Sequence, residues 1–175
     1  MFVVLSASLH PDSRSRILAH ACAEALRTSG REVTLFDLAV TPLPPCDGAA
    51  AYADENVQRL SSLIENADAI FVASPVYNFD LNAAAKNAVE LTGQAWTGKI
   101  VSLMLAAGGQ GSYMSAMGFA NSLMLDFRCL IVPRFIYATG DAFEGKSLAD
   151  VDISNRIEVL VNETTKLADA MKLIG

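Results

Sequence analysis

Short apolar runs alternate along this chain with longer stretches in which apolar residues recur every three or four positions. Phe2–Leu5 reads as a buried strand, and Ile17, Leu18, Ala21, Cys22, Ala25 and Leu26 follow at helical spacing, with Gly30 as a stop. Val33–Leu38 is a second strand, and Thr41–Gly48, with three prolines, is a loop. Val57, Leu60, Leu63, Ile64 and Ala67 mark a second helix; Ala69–Ala73 is a third strand, expected to be cut off by Ser74-Pro75. A third helix is predicted over about 82–91 and a fourth strand over Ile100–Ala106, ended by Gly108-Gly109. Tyr113, Met117, Ala120, Met124 and Phe127 are predicted to share one face of a fourth helix. A fifth strand falls within Cys129–Tyr137, its register disturbed by Pro133. Ile153, Ile157, Leu160, Val161, Thr164, Leu167, Ala168 and Met171 form the stripe of a last helix.

The order is therefore strand–helix, five times over. Strands of continuous Val, Ile, Leu and Phe are buried on both faces, as in a parallel sheet covered by helices. Right-handed crossovers then give a doubly wound α/β fold with a five-stranded parallel sheet in the order 2-1-3-4-5. The 175 residues suit one domain over 1–175. Such folds take ligands at the carboxyl ends of the strands, near the topological switch point. The loops after strands 1, 3 and 4 should then be chemically specialised.

They are. The first loop, 6–16, carries Ser6, Ser8, Ser13 and Ser15 together with His10, Arg14 and Arg16 ahead of a helix N-terminus. Hydroxyls, free backbone N–H groups and the positive end of the helix dipole bind phosphate. The plainer alternative is that Ser13 or Asp12 caps the helix while the arginines face water. The loop has neither the dinucleotide glycine fingerprint nor a Walker A pattern. The second loop, Ser74-Pro75-Val76-Tyr77-Asn78-Phe79, offers backbone polar groups, an amide and two aromatic faces to a flat heterocycle. Alternatively, it is an ordinary turn with Tyr77 in the core. In the third loop, Gly108, Gly109 and Gly111 around Gln110 suggest close backbone approach to a ligand and positive φ.

The net charge of −6 argues against general nucleic-acid binding, so any positive potential for a phosphate must be local. Cys22, Cys46 and Cys129 form neither a disulfide framework nor a zinc spacing, and Cys22 and Cys129 sit in apolar runs as packing residues. No apolar stretch is long enough to cross a bilayer or to serve as a signal-peptide core, and a cytoplasmic location is expected.

Ser8-Leu9-His10-Pro11-Asp12-Ser13-Arg14-Ser15, Pro75-Val76-Tyr77-Asn78, Lys86-Asn87-Ala88 and Gly108-Gly109-Gln110-Gly111 together resemble the NADPH-dependent FMN reductase family. The resemblance runs from about Phe2 to Tyr137. It implies a flavodoxin-like three-layer sandwich, FMN as cofactor, and NADPH or NADH as electron donor. By the same resemblance Ser8, His10, Ser13 and Ser15 take the phosphate, and with histidine at position 10 either the affinity is weaker or Arg14 or Arg16 helps. Pro75, Val76, Tyr77 and Asn78 would lie along the isoalloxazine, and Gly108, Gly109 and Gln110 would close its other edge. It also implies hydride transfer to the flavin without a protein acid or base, and a small-molecule acceptor such as a quinone, or a flavin-using partner enzyme. A homodimer or homotetramer is implied as well. Two departures stand out: His10 where the family often has arginine, and Phe79 where it favours glycine.

Other residues are expected to be structural. Lys86 reads as a solvent-facing helix charge, and Asp80 and Asn82 as helix caps. His20 is expected to face water or a neighbouring subunit. Met104, Met114, Met117, Met124 and Met171 read as core, while Trp96 is either edge packing or an interface anchor. An FMN electron carrier without nicotinamide oxidation, or a flavin-free module on the same fold, stays open at this point.

Overall fold

The computed structural model describes residues 1–173; the last two residues of the expected domain, Ile174 and Gly175, lie outside it. The chain runs β1 (Phe2–Ser6), α1 (Arg14–Thr28), β2 (Val33–Asp37), α2 (Glu55–Asn66), β3 (Ala69–Tyr77), β4 (Asp80–Leu81) and α3 (Ala83–Thr92). It continues with β5 (Ile100–Ala106), α4 (Ala116–Phe127), β6 (Leu130–Ile131), β7 (Ile136–Ala138), β8 (Phe143–Glu144), β9 (Ser147–Leu148) and α5 (Val151–Lys172). β2, β1, β3 and β5 are parallel neighbours in that order, and β6 and β7 both pair with β5. The segments β6 and β7 are thus one fifth strand interrupted around Pro133, and the expected order holds.

Alternation along the strands splits the core into two layers. Val3, Leu5, Ala7, Ile70, Val72, Val101, Leu103 and Leu105 face one side with buried residues of α2, α3 and α4. Phe2, Val4, Phe71, Ala73, Met104 and Ile136 face the other, with buried residues of α1 and α5. Each fully buried Leu or Phe contributes roughly 1.5–3 kcal/mol, so the sheet is a rigid platform for its edge loops. α1 ends as the sequence suggested: Gly30 lies at φ +76°, and the Arg31 and Gly30 N–H groups return to the carbonyls of Leu26 and Arg27.

Four expectations change. First, β3 does not stop at Ala73 but runs through Ser74-Pro75 to Tyr77, paired to β5 as far as Pro75 and to β4 at Val76 and Tyr77. Ala73 accepts from the Ala7 N–H on the β1 side, so alternation turns the missing Pro75 donor to that same side, beyond the end of β1. Second, β3 folds back into β4 through Asn78 and Phe79, both at positive φ (52° and 66°), the geometry of a type I′ turn. Third, α4 buries Ala116, Phe119, Ala120, Leu123 and Phe127, leaving Met117 and Met124 of the expected face exposed. The helix is apolar on more than one side, so periodicity alone could not orient it. Of the methionines expected in the core, only Met104 is buried; Met114, Met117, Met124 and Met171 are exposed. Fourth, Trp96 is fully buried and donates to Thr92 Oγ1 at 2.7 Å, which removes it as an interface anchor.

Candidate functional site

The carboxyl ends of β1, β3 and β5 lie side by side, because Ser6 pairs with Ala73 and Pro75 with Ala106. The three loops therefore meet. His10, Asp12, Ser13, Arg14, Ser15, Pro75, Val76, Tyr77, Ala106, Ala107 and Gly108 line one solvent-open cleft of about 310 Å³. Larger grooves lie between α1 and α5 (about 720 Å³) and beside α3 and α4 (about 650 Å³). Neither sits at the sheet's carboxyl edge, where free backbone donors and loop hydroxyls converge, so volume does not mark the site.

At the α1 N-terminus Ser13 and Arg14 reach the surface, while Ser15 is fully buried at the floor of the cleft. Ser13 occupies the cap position with extended backbone, yet its side chain caps nothing. Its hydroxyl lies 2.8 Å from that of Ser15, and among the described residues the Arg14 and Ser15 N–H groups have no backbone partner. By contrast, Asp54, Asn82 and Asp150 do cap α2, α3 and α5 through their side chains. The alternative in which Ser13 or Asp12 merely caps α1 is thereby excluded. Free N–H groups, the Ser13 hydroxyl with the buried Ser15 hydroxyl behind it, and the helix dipole fit a phosphate.

The charges of this loop are sorted. Arg16 pairs with Asp37 and donates to the Pro11 carbonyl at 2.8 Å, so it braces the loop and is not the phosphate ligand its position suggested. Asp12 is held by Lys146 at 2.7 Å, a contact that keeps its carboxyl below the usual range. Arg14 has no acidic partner within ion-pair distance among the described residues and remains available. His10 Nδ1 accepts the Asp12 N–H at 3.1 Å, so the ring carries its proton on Nε2 in this arrangement. Ser8 lies beneath the loop, nearly fully buried, and its Oγ accepts the His10 N–H at 3.2 Å; it shapes the loop and does not line the cleft.

Asn82 ties the first two loops together. It caps α3, donates from Nδ2 to the Ala7 carbonyl at 2.8 Å, and accepts from the Ser74 hydroxyl at 3.0 Å. The cap was anticipated; the strap between loops was not, since nothing in sequence links Asn82 to Ala7. Asp80 caps no helix; its carboxylate accepts the Leu81 N–H and lies against Gly118 of α4. Tyr77 is 57% exposed and so is not a core residue, and Asn78 sits in the turn beyond it, outside the cleft lining.

In the third loop, Gly108 lines the cleft whereas Gly109 and Gln110 continue the turn behind it. None of Gly108, Gly109 and Gly111 has positive φ, contrary to expectation, and a Cβ on each would enter open space. That space is room for a ligand rather than a requirement of the turn. Tyr137 steadies this loop by donating its hydroxyl to the Gly109 carbonyl, a role sequence reading missed. In the Lys86-Asn87-Ala88 motif, Lys86 pairs with Glu90 on the surface, as expected. Asn87 clamps the proline-rich loop through the Pro44 carbonyl and the Cys46 N–H.

The family model described as NADPH-dependent FMN reductase matches residues 1–144, which carry all three loops. The chain belongs to the NADPH-dependent FMN reductase family. Members reduce FMN with a nicotinamide coenzyme, and this chain is an oxidoreductase of that kind. It is 24% identical over 166 residues to an NADPH azoreductase of Bacillus sp. (strain OY1-2), covering 94% of this chain and 88% of that one. It is 30% identical to an FMN-dependent NADH:quinone oxidoreductase of Bordetella parapertussis, covering 84% of this chain and 90% of the relative. In structure it resembles the NAD(P)H:(acceptor) oxidoreductase FerB of Paracoccus denitrificans, with a TM-score of 0.78, 22% identity and 97% of each chain covered. Among the described residues, no helix is long and apolar enough to cross a membrane.

Proposed function

We propose that FMN binds across the three loops with its phosphate at Ser13, Arg14, Ser15 and His10, and that a nicotinamide coenzyme reduces it there. The observation that carries this reading is the uncapped α1 N-terminus, whose hydroxyls and N–H groups line the same cleft as Pro75, Val76, Tyr77 and Gly108. Pro75, Val76 and Tyr77 would flank the ring system on one side and Gly108 on the other, with Asn78, Gly109 and Gln110 in the turns behind them. When bound, FMN supplies the hydride-accepting centre. The chain supplies orientation: the phosphate donors fix one end, the loop backbones fix the polar edge, and the open side of the cleft admits a second planar ring. Holding two rings near contact distance, about 3–3.5 Å, lowers the barrier without a protein acid or base.

The acceptor in this reading is a quinone or another small oxidised molecule, in keeping with the names of the relatives. A cytoplasmic location and a homodimer or homotetramer belong to the same proposal. The exposed Met117, Met124 and Leu125 of α4 support self-association.

The test is anaerobic mixing of the FMN-loaded protein with NADPH and, separately, NADH. Rapid bleaching of the flavin, followed by recovery of colour on adding a soluble quinone, is the expected result. Flavin that stays oxidised for minutes with both coenzymes overturns the proposal in favour of an electron carrier. The Ser13→Ala/Ser15→Ala double variant should bind FMN at least tenfold more weakly; an unchanged Kd removes the phosphate assignment.

A further inference from the structure

A fourth segment reaches the phosphate end of the cleft, and none of its residues belongs to the three loops. After β7 the chain makes a 3-10 turn over Gly140–Ala142 and then the β8–β9 hairpin. Three contacts join it to the first loop. The Arg14 guanidinium lies over the Phe143 ring, 5.9 Å from its centroid. Arg14 Nη1 passes so close to Gly140 that a Cβ on that residue would stand 2.9 Å away. Lys146 Nζ holds the Asp12 carboxylate at 2.7 Å.

These contacts act in one direction. Asp12 shares the cleft rim with Arg14 and Asp141 directly follows Gly140, and each is engaged elsewhere: Asp12 by Lys146, Asp141 by the Thr139 hydroxyl at 2.7 Å. An aromatic face orients a guanidinium without using its N–H donors, so Arg14 keeps its fork available. Masking Asp12 also removes a negative charge from the rim of a site meant for a phosphate dianion.

We propose that Gly140, Phe143 and Lys146 are positioning residues that set the preference of this site for phosphorylated flavin, by aiming Arg14 and neutralising Asp12. This rests on the phosphate placement proposed above. The glycine at 140 is then required by the close approach of Arg14 rather than by backbone conformation, because its φ is not positive.

The test compares the Kd of FMN with that of riboflavin, which lacks the phosphate. In Gly140→Ala the new methyl meets only the far end of a flexible side chain, so the protein should fold with an unchanged Tm while the guanidinium shifts. FMN binding is expected to weaken about fivefold or more, with riboflavin binding altered less than twofold. Lys146→Ala should weaken FMN selectively by about threefold at low salt, and adding Asp12→Asn should restore most of that. Arg14→Ala is the reference, and Gly140→Ala on that background should have no further effect.

A wild-type ratio of FMN to riboflavin affinity in Gly140→Ala, with the ratio collapsed in Arg14→Ala, overturns the positioning role alone. An unchanged ratio in Arg14→Ala also overturns it, since nothing would then depend on where Arg14 points. A wild-type protein that binds the two flavins equally overturns the underlying phosphate placement instead.

Discussion

Replacing Asn82 by alanine probes the joint between the first two loops. The residue is only 6% exposed and performs two separable tasks. Its Oδ1 accepts the Ala85 N–H at 3.3 Å as the α3 cap, and losing a cap costs typically about 1 kcal/mol. Its Nδ2 serves the carbonyl of Ala7, a fully buried residue with no other donor among the described residues. Leaving such a carbonyl unpaired costs roughly 1–3 kcal/mol. The sum is about 3 kcal/mol, which for a chain of this size lowers Tm by roughly 6–12 °C. Urea and thermal unfolding followed by circular dichroism measure it. Asn82→Asp separates the two tasks, because aspartate caps as well as asparagine but turns a carboxylate oxygen toward the Ala7 carbonyl. If capping were the whole role, Asn82→Asp would match the wild type. The strap predicts a loss of at least about 2 kcal/mol, since a buried charge facing a carbonyl is penalised further. Stability of Asn82→Asp within about 0.5 kcal/mol of wild type refutes the reasoning. Because the strap joins whole loops, Asn82→Ala should weaken FMN and riboflavin binding together, unlike the selective effect expected at Gly140.

His10→Arg should tighten FMN binding, because a guanidinium is permanently charged and offers a planar fork to phosphate, and equal Kd values for the two proteins would remove His10 from the phosphate site. Tyr137→Phe, which frees the Gly109 carbonyl, should cost about 1 kcal/mol and weaken flavin binding severalfold; titration of the flavin fluorescence checks it. Of the three cysteines only Cys46 should react quickly with a disulfide reagent at pH 8, because burial pushes the Cys22 thiol up and pushes that of Cys129 up to about 11. Two fast thiols would contradict the packing described here. For Asp68, partial burial pushes the carboxyl up, but Lys172 and the amino terminus, each at 2.7 Å, outweigh it and hold the carboxyl below its usual range. The stabilisation is present above the ordinary aspartate value near 4 and is lost as pH falls through the lowered one. Asp68→Asn should therefore be less stable by roughly 1 kcal/mol at pH 7 and show a shallower decline below pH 4; parallel acid limbs would refute the assignment.

Hydrophobic patterning was sufficient for the layer order, because strands buried on both faces and helices with one apolar stripe pack in few ways. β1, β2, β5 and α5 are legible as written, and so is the meeting of three loops at one sheet edge. Patterning failed where a residue's partner is remote in the chain or where two faces are equally apolar. The extension of β3 through Pro75 depends on β1 ending first. The outward Met117 and Met124 depend on which side of α4 the sheet occupies. The site divided in the same way. Residue types and spacing pointed to Ser13, Ser15, Pro75 and Gly108, which the fold brings to one cleft. Tertiary contacts alone decided that Arg16 belongs to Asp37 and not to a ligand, that Asn82 and Tyr137 hold the loops in place, and that Gly140 lies under Arg14. Sequence is a one-dimensional record of what each residue can do; with whom it does so is fixed only when segments more than a hundred positions apart, such as Asp12 and Lys146, are folded into contact.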